Sequence, residues 1–182
     1  MLLVIGHWDF VISLTPRASL LTEAAMFREG MIDGVVVRLL KRLEDARGWL
    51  IELYREDELQ PAQYPAMAYV SQTLPGVARG PHEHRQQIDL FGFVGPGDFK
   101  LYLWDTRPGS PTLGTRQTLI AGESNPQAVI VPPGVVHAYR NVSQIAGLVF
   151  NCPNCLYAGE GHREPVDEIR HEDLAGSPYV LD

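Results

Sequence analysis

From Ile32 onward the apolar residues come in short runs cut by glycine and proline, a rhythm that predicts strands rather than helices. Val35-Val-Val-Arg-Leu-Leu40 is apolar and β-branched, and Trp49-Leu-Ile-Glu-Leu-Tyr54 follows a charged turn from Glu44 to Gly48. Phe99-Lys-Leu-Tyr-Leu-Trp-Asp105 reads as strand throughout, with Lys100, Tyr102 and Trp104 sharing one face by the period of two. Gln127-Ala-Val-Ile-Val131 stops at a double proline, and Gly147-Leu-Val-Phe150 runs up to Cys152. Between these runs lie Gly95-Pro-Gly97, Arg107-Pro-Gly-Ser-Pro111 and the stretch Gly122 to Pro126. Many short strands joined by such turns predict one all-β domain, a sandwich or barrel. No heptad, tandem repeat or low-complexity tract competes with that reading.

Residues 1–30 look different. Ala18 to Arg28 has the makings of a short helix with Ser19 or Thr22 near its start, but its apolar pattern is weak. We therefore expect residues 1–30 to be a peripheral extension, with Met26 or Met31 as alternative starts, and residues 31–182 to form the domain.

Composition narrows the partners. A chain of 182 residues, 45% of them hydrophobic, is long enough for one well-buried core and short for two. Its 15 basic and 22 acidic residues give a net charge of -7, which argues against nucleic acid, whose phosphates need a positive field. A small phosphorylated ligand is still compatible. Only Lys41 and Lys100 are lysines, so any anion clamp must be built from arginine. Cys152 and Cys155 are too few for a disulfide framework. The apolar start Met1 to Ile5 breaks at Gly6-His-Trp-Asp9, short of a secretory or membrane-spanning segment. The expectation is a soluble cytoplasmic protein with no membrane partner.

The candidate chemistry lies in two places. His82 and His84 are two apart, so on an extended segment both rings point to one side. His137 follows Pro132-Pro-Gly134, and a second strand can bring it opposite them. Converging imidazoles suit proton transfer or a metal ion. The spacing matches the cupin pattern: Gly76, five residues, His82, one residue, His84, then Asp89; and downstream Pro-Pro-Gly, two residues, His137, three residues, Asn141. In the metal form of that pattern His82, His84, His137 and Asp89 hold a divalent ion. Asp89 is about 1.5 Å shorter in reach than the glutamate usual there. It is also an odd number of residues from His84, which requires a turn or bulge through Arg85-Gln-Gln87. Gln86 has the right parity to offer an oxygen instead.

Four segments in register resemble the dTDP-4-dehydrorhamnose 3,5-epimerase family, a jelly-roll cupin. They are Ile32-Asp-Gly-Val35 with Asp45-Ala-Arg-Gly-Trp-Leu-Ile-Glu52; Val77-Ala-Arg-Gly-Pro-His82; Trp104-Asp-Thr-Arg-Pro-Gly-Ser-Pro-Thr-Leu-Gly114; and Val131-Pro-Pro-Gly-Val-Val-His137. The resemblance spans about Ile32 to Asp173. It implies a cupin jelly roll with short peripheral helices, a homodimer, and a nucleotide-linked 4-keto-6-deoxy sugar as substrate. It also implies His82 as the base that removes a proton beside the ketone, with no cofactor. Arg79, Arg47 and Glu52 match substrate-binding positions, and His137 matches a second active-site histidine that stabilises the oxyanion or orients the base.

The sequence departs from the family at three points. Aligned without gaps, Phe150 stands where the family has its general-acid tyrosine, leaving Tyr157 or Tyr139 as substitutes. No lysine lies between Lys41 and Lys100, where the family keeps an active-site lysine. The C-terminal aspartate that pairs with the base has no evident counterpart. Two rivals to the isomerase therefore stand: a metal-dependent cupin using the His82, His84, Asp89 and His137 set, and a sugar-nucleotide binding protein without catalysis. Cys152-Pro-Asn-Cys155 reads as a spare thiol pair, since no second pair completes a zinc site, although Cys155 could serve as a weak proton donor. Trp49, Tyr102, Trp104 and Phe150 read as core or pocket wall. The charged clusters around His162 and His171 read as a solvated C-terminal region.

Overall fold

The computed structural model describes residues 27–182. Thirteen strands follow in order: β1 Arg28–Glu29, β2 Val36–Leu39, β3 Leu43–Asp45, β4 Gly48–Leu50, β5 Tyr69–Thr73, β6 Ala78–Glu83, β7 Asp89–Phe93, β8 Asp98–Asp105, β9 Thr115–Gly122, β10 Gln127–Val131, β11 Val135–Asn141, β12 Gly147–Asn151 and β13 Ile169–Arg170. They form a six-stranded sheet ordered β1-β9-β8-β11-β6-β13 and a five-stranded sheet ordered β2-β10-β7-β12-β5, with β3 and β4 as a separate hairpin. Only one-turn 3₁₀ segments, at Glu56–Glu58, Pro61–Gln63 and Glu160–His162, interrupt the β structure among the described residues. None of the described helices is long and apolar enough to cross a membrane.

Two facing sheets bury alternate residues of each strand between them. Phe99, Leu101 and Leu103 of β8 point inward to meet Phe91, Phe93, Val129, Val131, Val135, Tyr139 and Val149. The other face of β8 carries Tyr102 and Trp104, as the alternation predicts, and it too is covered, by Phe27, Tyr179 and Leu181. Full burial of such side chains contributes about 1.5–3 kcal/mol each. The Asp105 carboxylate is fully buried at the end of β8. It accepts hydrogen bonds from Arg107 Nε (2.9 Å), Ser110 Oγ (2.5 Å) and Thr112 Oγ1 (2.6 Å). Burial alone would raise its pKa, but these donors hold it well below the usual carboxylate range. That node folds the loop Arg107-Pro-Gly-Ser-Pro-Thr112, so this motif is structural support.

Three expectations need correcting. The strand foreseen over 49–54 shrinks to Gly48–Leu50 in the hairpin. Trp49 is therefore 51% exposed, beneath the Arg42 guanidinium 5.0 Å from its ring, and forms neither core nor pocket wall in one chain. Most of the helix foreseen over 18–28 lies outside the described residues, and its last residue, Arg28, is in β1, pairing in parallel with Thr115.

Candidate active site

His82 and His137 are register partners on the antiparallel strands β6 and β11. Their ring centroids are 4.4 Å apart. Gly80 permits this closeness: its φ is +78°, and a Cβ there would lie 2.5 Å from the His137 carbonyl oxygen. His84, just past the end of β6, brings its ring centroid to 5.5 Å from His82 and 5.8 Å from His137. Each of the three offers a ring nitrogen within 4.8 Å of the others.

Asp89 opens β7, which lies in the opposite sheet. The chain turns between sheets over residues 84–88, so single-strand parity does not apply to it. The Asp167 carboxylate stabilises this turn by accepting from the backbone N–H groups of Arg85 (3.0 Å), Gln86 (2.8 Å) and Gln87 (3.0 Å). As a result Asp89 Oδ2 lies 3.3 Å from His84 Nε2 and 3.3 Å from His137 Nε2. The shorter carboxylate reaches the histidines, and Gln86 lies on the cavity wall instead.

Hydrogen bonds on the far side fix each ring. His137 Nδ1–H donates to the Val135 carbonyl at 3.0 Å, and His84 Nδ1–H donates to the Asp167 carbonyl. Asp89 Oδ1 accepts from Gln87 Nε2 at 2.9 Å and Asn151 Nδ2 at 2.8 Å. Burial, reinforced by the neighbouring His137 and His84, pushes the pKa of His82 well below its ordinary value. Burial also lowers that of His137 despite the opposing pull of Asp89. Both rings are thus neutral at ordinary pH.

A cavity of about 860 Å³ opens beside them, lined by His82, His84, Arg79, Tyr69, Tyr139 and Glu168 among others. Arg79 is tethered through Nε to Thr73 Oγ1 (3.0 Å) and through Nη2 to the Gln72 carbonyl (2.8 Å), which aims a cation at the opening. Glu168 comes from the C-terminal segment, where β13 pairs Ile169 with Glu83 and Arg170 with His82. Its Oε1 lies 3.9 Å from His82 Nδ1, and its Oε2 accepts from Arg170 Nε at 2.8 Å. This corrects two expectations. A C-terminal carboxylate does meet the candidate base, and the cluster at His171 is packed, with its Nε2 2.9 Å from Glu83 Oε1.

Arg47 and Glu52 do not join the site within one chain. Arg47 sits on the β3–β4 hairpin, paired with Asp45 at 2.5 Å and 90% exposed, and Glu52 lies 3.9 Å from Arg55. Phe150 also points away. Val149 and Asn151 are the inward residues of β12, and Phe150 packs outside beside Gly92. Asn151 faces Tyr69 across the β12–β5 ladder and donates to the Tyr69 hydroxyl at 2.9 Å. Burial raises the Tyr69 pKa to about 12. The Tyr139 hydroxyl is 3.0 Å from Ser71 Oγ, and its pKa is likewise raised by burial. Tyr157 lines the cavity half-exposed. Cys152 and Cys155 are unpaired; Cys155 lines the cavity, with its thiol pKa pushed up by burial and by nearby Asp167 and Asp89.

Sequence reasoning missed Tyr69, Asn151 and Glu168. The alternation in Tyr69-Val-Ser-Gln-Thr73 was a usable strand signal for the first. Nothing local marks Glu168, whose role depends on where the chain end folds.

Known proteins bear on this geometry. Residues 29–173 match the profile of the dTDP-4-dehydrorhamnose 3,5-epimerase family. A spore coat polysaccharide biosynthesis protein of Bacillus subtilis is 39% identical over 110 residues, covering 60% of this chain and 72% of its own. A protein of Haloferax volcanii, named as a probable low-salt glycan biosynthesis epimerase, is 38% identical over 128 residues, covering 69% of this chain and 81% of its own. Among solved structures, the rmlC epimerase of Mycobacterium tuberculosis superposes with a TM-score of 0.69 at 20% identity, over 85% of this chain and 76% of that one. A Legionella pneumophila 3,5-epimerase in complex with dTDP-4-keto-L-rhamnose gives a TM-score of 0.68 at 23% identity, over 84% and 80%. At those identities the structural likeness establishes the cupin fold.

Proposed function

Because this chain belongs to the dTDP-4-dehydrorhamnose 3,5-epimerase family, we propose that it epimerises a dTDP-linked 4-keto-6-deoxy sugar at a carbon beside the ketone. The observation that carries this reading is His82: a neutral imidazole on the cavity wall with the Glu168 carboxylate 3.9 Å behind its Nδ1. The ketone withdraws electrons from the adjacent C–H bond. His82 takes that proton, the bonding pair passes into an enolate, and Glu168 meets the positive charge that arrives on the ring. Tyr69 then returns a proton to the same carbon. β5, which carries Tyr69, and β6, which carries His82, belong to opposite sheets. A proton removed on one face of the sugar is thereby replaced on the other, which is inversion. A phenol with its pKa at about 12 keeps its proton until the strongly basic enolate carbon takes it. Arg79 is suited to the diphosphate, where a guanidinium binds oxygens in pairs.

The reading includes pairing of two chains. The β3–β4 hairpin projects with Leu43, Trp49 and Leu50 exposed, and a second chain covering it would give Arg47 and Glu52 a cavity to reach. It also includes a cytoplasmic setting, which the unpaired Cys152 and Cys155 suit. The test is solvent deuterium exchange into dTDP-4-keto-6-deoxyglucose, followed by NMR. Exchange beside the ketone that disappears in His82→Ala is expected; no exchange into this or related 4-keto sugars would overturn the proposal.

A further inference from the structure

We propose that His171 is a positioning residue: gripped between Glu83 and Tyr179 on the outer side of the six-stranded sheet, it holds β13 so that Glu168 faces His82. The inference rests on the epimerase reading, in which Glu168 matters as the partner of the base. Alternation divides the C-terminal segment between two faces. Glu168, Arg170 and Glu172 line the cavity, whereas His171 between them meets Glu83 and Tyr179 instead. β6 divides in the same way, with His82 on the cavity and the next residue, Glu83, against His171.

β13 is two residues long, lies at the sheet edge and pairs with β6 alone. So short a ladder is marginal without further support. Its register also matters more than its strength. A slip of one residue would turn Glu168 to the outer face and set an apolar side chain against His82. The Pro81 carbonyl accepts from the backbone N–H groups of both His171 (2.9 Å) and Glu172 (3.2 Å). His171 adds the side-chain contact that distinguishes one register from the next: its Nε2–H donates to Glu83 Oε1 at 2.9 Å. The two side chains are only 13% and 18% exposed, so water replaces that bond poorly.

The other side of the ring is taken by Tyr179, edge to face, with centroids 4.7 Å apart. Two successive turns bring the tail back over His171: Leu174 N–H donates to the His171 carbonyl, and Ser177 N–H to the Leu174 carbonyl. Tyr179 then lies 5.4 Å from the buried Trp104, and with Leu181 it covers the outer face of β8 and β11. The exposed ion pair of Asp182 with Lys100 (3.0 Å) adds little, so the apolar contacts are what fix the tail. Upstream, the Asp167 carboxylate is held by the N–H groups of residues 85–87. Asp167 thus sets where the segment enters the site and His171 where it leaves, with Glu168 between them 3.9 Å from His82 Nδ1.

Two measurements on the full chain test this. The first needs no sugar: amide hydrogen exchange, read by NMR, in the parent, His171→Ala, His171→Gln and Glu83→Ala. In both alanine variants the N–H groups at positions 171 and 172 should exchange at least about 10-fold faster, with β8 and β11 unchanged. His171→Gln retains an N–H for Glu83 and should stay within about threefold of the parent. The second is deuterium incorporation into the 4-keto sugar. His171→Ala should lower the limiting rate roughly 10-fold with KM within about threefold, and His171→Gln should recover most of the loss. In a Glu168→Gln background, His171→Ala should cost less than about twofold more, because a residue acting through Glu168 then has nothing to position. Unchanged exchange at positions 171 and 172, protection lost throughout β8 and β11 in both alanine variants, or equal rate losses in the two backgrounds would each overturn the proposal. Failure of the clasp leaves deuterium incorporation by the parent intact. A parent that incorporates none removes the epimerase reading, while amide exchange still decides whether His171 holds β13.

Discussion

Glu168→Gln isolates the partner of the candidate base while keeping its size. In the native protein the carboxylate lies 3.9 Å from His82 Nδ1, with the two side chains 20% and 17% exposed. Two unit charges at that separation attract by about 4 kcal/mol at an effective dielectric constant of about 20. Partial exposure at the cavity mouth screens some of this, so about 2–3 kcal/mol is a reasonable share for the imidazolium formed during proton abstraction. If most of it is present in the transition state, the substitution slows exchange roughly 30- to 150-fold. Substrate binding should be little changed, because neutral His82 gains nothing from the charge. The assay is deuterium incorporation beside the ketone at neutral pH over a range of sugar-nucleotide concentrations. The expected result is a reduced limiting rate with KM nearly unchanged. A variant within about threefold of the parent in limiting rate would refute the pairing and leave Glu168 as a partner of Arg170 alone.

Other substitutions separate the remaining roles. Tyr69→Phe should still wash deuterium into the substrate but form inverted product at least about 10²-fold more slowly, read by NMR of the product; undiminished inversion would move the acid to Tyr139 or Tyr157. Asp105→Asn leaves the Arg107 guanidinium without its buried counter-charge, and we expect a loss of about 3–5 kcal/mol in urea unfolding. A loss under 1 kcal/mol would contradict the supporting role assigned to that node. Burial holds the pKa values of both His82 and His137 below 6.5, so the unfolded chain binds more protons as pH falls through that value. Stability should therefore be fully present above about pH 6.5 and decline below it, by up to about 1.4 kcal/mol per pH unit for each ring. The urea midpoint should drop between about pH 6.5 and 5 and drop less in His82→Gln; a flat profile would mean the rings are protonated in the native state.

Local pattern carried much of this protein. The β-branched runs, the double proline before β11 and the glycine turns are decided by backbone sterics and side-chain alternation, so Gln127–Val131 was legible residue by residue. The pairing of His82 with His137 was legible as well, because a two-residue repeat and a turn leave few ways to arrange them. Other features depended on contacts between distant parts of the chain. Asp89 reaches the histidines because the chain changes sheets over 84–88, a step that no strand parity encodes. Tyr69 reaches the cavity wall beside Asn151 because neighbouring strands present side chains to a common face, and which strands are neighbours is set by the packing of two sheets. Glu168 becomes the partner of His82 only when β13 adds to the edge of β6. Periodicity ranks residues along one strand, while the distance between charges on separate strands is set by the closed fold.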